Sequence, residues 1–400
     1  MHSKEREFFM NLFTMIRNRN LTLLAISSLI IGIPYGFMYW ALPLIIAHVG
    51  GSTIVGFIYS VGFLFSTLSS LIGGILADIY GRKLLIIIGT IIYLISMIIP
   101  IIFSHTIFMV IMITVLYFTA LSISSGALQA LIAESSPKDL LDMAYSIIST
   151  ATLFGSIIGS FSLGYIFQKI STINTFVIAS LLVLSALFLR LMLIENYTVQ
   201  VKKTMNLTDI RMVFKELKNL FRNKLILITI ITIIASLESN IDGPYYSIYM
   251  KIVQKIDEIN IGIAFSIIPF IMAIMNITAG KLIDKMGSYL LLILSNICGG
   301  SLVLMFVLTI NPFAIIFLIA TSLFVPFHNI SITTLTARLT TEENRAVVFG
   351  SLGMLWSIIS IPANSIGSLL WSVSPQAPFY VASMLSFLEA LLVLYSIKQK

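Results

Sequence analysis

The chain has 400 residues, a net charge of +7, 58% hydrophobic residues and only 10% charged ones, against about 45–50% and about 25% in soluble domains. With a mean hydropathy of +1.03, these values exclude a large soluble domain. They also exclude a nucleic-acid binder, because the bases stand at the ends of apolar runs and never form a long block.

The single cysteine, Cys298, excludes an intrachain disulfide and a cysteine metal cluster. It reads as a small apolar residue in a helix. No cofactor is implied.

A helix needs about 20 apolar residues to cross a bilayer. Residues 1–20 are polar and amphipathic, unlike a cleavable signal. Twelve spanning runs follow: Leu21–Ala47, Thr53–Ala77, Leu84–Ser104, Ile107–Ala133, Leu141–Phe167, Thr172–Ile194, Leu225–Met250, Ile259–Ile283, Ser288–Ile310, Pro312–Ala337, Ala346–Trp371 and Pro378–Ile397. The expected fold is an all-α membrane protein. Its domains are an N-terminal six-helix bundle (1–195), a cytoplasmic linker (196–224) and a C-terminal six-helix bundle (225–400). In the linker, Leu207, Ile210, Phe214, Leu217 and Phe221 recur at three- and four-residue spacing, as in an amphipathic helix lying on the membrane surface.

Of the 24 lysines and arginines, only Lys169, Lys251 and Lys255 fall in outer loops if both termini are cytoplasmic. That bias sets the expected orientation in the cell membrane. On this reading no base lies deep in the bilayer.

Between the second and third runs stands Gly73–Lys83, GGILADIYGRK. Three glycines, an acid and two bases need a turn at the water boundary, and glycine permits the backbone such a turn demands. Asp78 at a helix end would be free to accept bonds from a neighbouring helix N-terminus. About half the chain later, Gly280, Leu282, Asp284 and Gly287 repeat the spacing. Arg17-Asn18-Arg19 recurs as Arg222-Asn223-Lys224. Ile31, Pro34, Tyr35 and Tyr39 recur as Ile241, Pro244, Tyr245 and Tyr249.

Gly74, Leu76, Ala77, Asp78, Gly81, Arg82 and Lys83 make the chain resemble the major facilitator superfamily of secondary transporters, which carries G-x-L-A-D-x-x-G-R-K at this place. Ile79 departs from the usual base, and Ser288 and Tyr289 replace both bases in the second copy. The resemblance implies two pseudo-symmetric six-helix bundles, with helices 1, 4, 7 and 10 around a central cavity. It also implies that Arg82 reaches Glu134, and that Asp78 meets the start of the eleventh helix near Ala346. Drug–proton antiporters of the family carry a glycine-proline signature in helix 5. Here Gly155, Gly159 and Gly164 are present, but Ser160 stands where the proline would be.

Ionisable groups inside a membrane are costly and are candidates for function. Glu238 and Asp242 lie one turn apart in the seventh run, ahead of a break at Gly243-Pro244. Two carboxylates in a poorly hydrated site cannot both ionise cheaply, so the pair is the expected proton-coupling site. Tyr35, Tyr39 and Tyr245 offer aromatic faces for a cation or a flat molecule. Gln129, His328 and Asn329 are the polar candidates of the fourth and tenth runs. Glu389, in the twelfth, is expected to be a packing group.

The expected function is alternating-access transport of a small organic solute by a monomer, with no enzymatic activity and no nucleic-acid partner. An acidic, aromatic cavity without bases points to proton-coupled efflux of an amphipathic or cationic compound and disfavours an anion. Proton-linked uptake of a sugar or other neutral metabolite is the rival. A non-transporting membrane sensor is the alternative from another class.

Overall fold

The computed structural model describes residues 17–103, 106–137, 140–195, 220–221, 225–340 and 342–398. The expected linker helix lies outside the described residues, apart from Leu220 and Phe221. Every apolar run is helical. The twelve spans are Arg19–Gly50, Ser52–Tyr80, Arg82–Ile102, Ile107–Ser135, Leu141–Lys169, Thr172–Leu191, Ile226–Ile252, Glu258–Met286, Ser288–Leu308, Phe313–Leu339, Val347–Val373 and Ala377–Ile397. Lipid offers no hydrogen bonds, so each backbone group must be satisfied within its own helix. Where chain re-enters from a loop, side chains cap the free N–H groups: Thr106 accepts from Met109 N–H, Ser171 from Asn174 and Asp257 from Asn260.

Two spans are broken. The seventh ends its regular helix at Ile241, passes through a 3-10 turn at Gly243–Tyr245 and resumes at Tyr246–Ile252. Pro244 has no N–H to continue the ladder. The tenth, which the sequence presents as one run, splits into Phe313–Thr321 and Val325–Leu339. Pro326 is the same kind of interruption, and it puts His328 in the first turn of the second piece.

The chain divides into two compact units. One contains the described residues within Met1–Tyr39 and Phe65–Thr204, the other those within Trp40–Leu64 and Met205–Lys400. In the first unit, spans one and five meet backbone to backbone. A Cβ added to Gly36 would overlap the Ser156 backbone, and one added to Gly159 would overlap the Ile33 carbonyl. Ser160 Oγ donates to the Gly36 carbonyl at 3.0 Å. The residue standing in the proline's place therefore ties this close approach.

In the second unit, Trp40–Leu64 is held by hydrogen bonds to spans seven and eleven. The Gly56 N–H donates to Tyr245 Oη, the Phe57 N–H to Ser368 Oγ, and Ser60 Oγ to the Ile361 carbonyl. Tyr245 is fully buried and stacks on Trp371 with ring centroids 4.9 Å apart.

Candidate functional site

Three ionisable groups of the second unit, Glu238, His328 and Glu389, converge. Glu389 is 0% exposed. Its Oε1 accepts from Asn296 Nδ2 at 2.9 Å and lies 2.9 Å from His328 Nε2. Its other oxygen, Oε2, is buried without a partner. Ser386, one turn before Glu389 on the same helix face, donates to Glu238 Oε1 at 2.5 Å. Spans seven, nine, ten and twelve thus contribute one polar cluster. Counted along their helices from Ile226, Ser288, Leu339 and Ile397, its members lie about 12–18 Å in, at 1.5 Å per residue.

Glu389, expected to be a packing group, does join helices, and it is the best-connected acid of the cluster. The sequence alone singles out neither Asn296 nor Ser386. Their only signal was a polar residue within an apolar run. Asp242 is buried and Glu238 partly buried, but the two share no hydrogen-bond partner: Asp242 Oδ2 accepts from Tyr246 Oη at 2.7 Å. Gln129 and Asn329 are exposed. Tyr39 is 60% exposed, whereas Tyr245 is committed to packing.

The first unit corrects the expectation that no base lies deep. Arg190, in the last turn of span six, is 6% exposed and folds inward. Its Nη1 donates to Thr90 Oγ1 at 2.8 Å and its Nε to Ser27 Oγ at 3.5 Å. Thr90 is about 12 Å along its helix from Arg82 at 1.5 Å per residue. Tyr35 lines the same small cavity as Arg190.

At the glycine-rich turn, Arg82 pairs with Asp78 and, through Nε at 3.3 Å, with Glu134. Gly81 and Gly287 take φ values of +100° and +81° in the two copies. That backbone region belongs essentially to glycine. Gly74, Gly280 and Asp284 are exposed at the ends of spans two and eight. The Lys83 N–H donates to Glu195 Oε1 at 3.4 Å.

Among the described residues, twelve helices long and apolar enough to cross a bilayer define a multi-pass membrane protein. The family model described as Major Facilitator Superfamily matches residues 24–239 and 228–400. The chain belongs to that superfamily. An uncharacterized MFS-type transporter of Methanocaldococcus jannaschii is 27% identical over 395 residues, covering 94% of this chain and 95% of the relative. Among solved structures, a POT family transporter in complex with a thioalcohol-conjugated peptide superposes with a TM-score of 0.76 at 13% identity, covering 95% of this chain and 96% of the other. A D-xylose–proton symporter gives 0.73 at 12% identity, covering 94% and 96%.

Proposed function

We propose that this protein is a proton-coupled secondary transporter of a small organic solute, with Glu389, His328 and Glu238 carrying the proton. The observation that supports this is the fully buried Glu389, bonded through one oxygen and unpartnered at the other. A carboxylate so removed from water is costly unless paired or protonated. A proton shared with His328 relieves that cost, and access to water from either side exchanges it. The halves 1–195 and 225–400 of a monomer provide alternating access, with both termini on the cytoplasmic side of the cell membrane. Asp78, Arg82 and Glu134 latch one side.

Buried carboxylates near aromatic side chains favour an amphipathic or cationic solute expelled against protons. The test uses proteoliposomes with an entrapped pH dye and ethidium as the amphipathic cation. Ethidium addition should move protons through the wild type and not through Glu389→Gln. Proton movement driven by xylose but not by ethidium would instead establish neutral-solute uptake. Solute flux with an unchanged pH profile in Glu389→Gln would reject Glu389 as the coupling group.

A further inference from the structure

Among its described residues, the first unit holds a buried cation, Arg190, without a counter-charge. We propose that the cavity beside it binds the carboxylate group of a small organic acid. Among the described residues no acid pairs with Arg190, whose bonds go to the neutral hydroxyls of Thr90 and Ser27. Those bonds occupy two of the five N–H donors a guanidinium carries. A desolvated charge is ordinarily paired, and the planar fork of arginine matches two carboxylate oxygens.

A second observation points to the same ligand. The cavity, of about 180 Å³, is lined by Arg190, Ser28 and Tyr93. The hydroxyls of Ser28 and Tyr93 are buried without partners, and these residues are 3% and 2% exposed. Thr90, Ser124, Ser125 and Thr152 have already donated their hydrogens to carbonyls of their own helices. Arg190, Ser28 and Tyr93 therefore still have N–H and O–H donors to offer, which suits a carboxylate.

Ile31 and Leu128 complete the wall and suit a short carbon skeleton. One fixed positive charge balances one carboxylate, whereas a phosphate dianion would bring uncompensated charge into an apolar interior. The site is independent of which group carries the proton.

Thermal unfolding of the full chain in neutral detergent tests it. Sodium propionate is titrated against propionamide, sodium chloride and sodium phosphate at matched ionic strength. Propionate should raise the Tm saturably and propionamide should not. Arg190→Met should abolish the shift, while Glu389→Gln should keep it, which separates this site from the coupling cluster. Tyr93→Phe and Ser28→Ala keep the arginine, so they remain informative if Arg190→Met misfolds. Each should weaken the midpoint by about tenfold, as expected for a lost hydrogen bond to a charged group. No shift with propionate, an equal shift with propionamide, a shift with phosphate alone, or wild-type binding in Tyr93→Phe and Ser28→Ala would each overturn the proposal.

Discussion

Glu389 Oε1 lies 2.9 Å from His328 Nε2, joining a helix that begins at Ala377 to the first turn of the helix that follows Phe324. Asn296 fastens to the same oxygen from a third helix. One carboxyl group thus fixes three helices of the second unit. Glu389→Leu should destabilise the protein by about 1–3 kcal/mol for each partner left unsatisfied. Glu389→Gln keeps an acceptor for Asn296 and should lose about 1 kcal/mol or less, the scale of one altered neutral bond. Denaturation midpoints in detergent, compared across the pair, separate the packing role of Glu389 from its proposed proton role. Equal losses for Leu and Gln would contradict this geometry.

The close contact of spans one and five predicts a sharp contrast between glycines. Gly159→Ala would place a methyl group against the Ile33 carbonyl, whereas Gly126 has nothing within 4 Å of an added Cβ. Forcing helices apart costs about 1–3 kcal/mol. Gly126→Ala should stay within about 1 kcal/mol of the wild type. Thermal unfolding of the two variants side by side measures the difference.

The two positive-φ glycines make a paired prediction. Gly81→Ala and Gly287→Ala should each cost about 1–3 kcal/mol, since a side chain strains this backbone region. Gly280→Ala, with open space around it, serves as the neutral control. A Gly287→Ala variant as stable as the control would refute the strain argument.

Asp78 and Glu134 share Arg82 at partly exposed positions. Surface pairs of this kind contribute about 0–1 kcal/mol, so Asp78→Asn should fold normally. If the turn latches one side of the transport cycle, initial transport rates should nevertheless fall several-fold, because a small bias shifts a near-balanced equilibrium. Wild-type rates in Asp78→Asn would make the turn a scaffold only.

Orientation has a direct check in a Cys298→Ser background. Ser52→Cys, in the first interhelical turn, should react with an impermeant thiol reagent in intact cells. Ser136→Cys, at the end of span four, should not. The reverse pattern would invert the topology.

The twelve spans and the duplicated glycine turn were legible in the sequence for a simple reason. A bilayer demands long apolar helices, and only glycine tolerates the backbone at residues 81 and 287, so these features are written locally. The break at Gly243-Pro244 was equally local. The site was not. Glu238, Asn296, His328 and the Ser386–Glu389 turn are distant in sequence, and only the packing of four helices brings their polar atoms within hydrogen-bond reach. Arg190 shows the same limit from the other side. Its place near the end of an apolar run suggested water, but Thr90 and Ser27 on neighbouring helices offered hydroxyls that drew the guanidinium inward. Sequence determines which residues must be helical and in lipid. Which charges meet, and which is left facing a cavity without a counter-charge, is decided by side chains from separate helices sharing one dry interior.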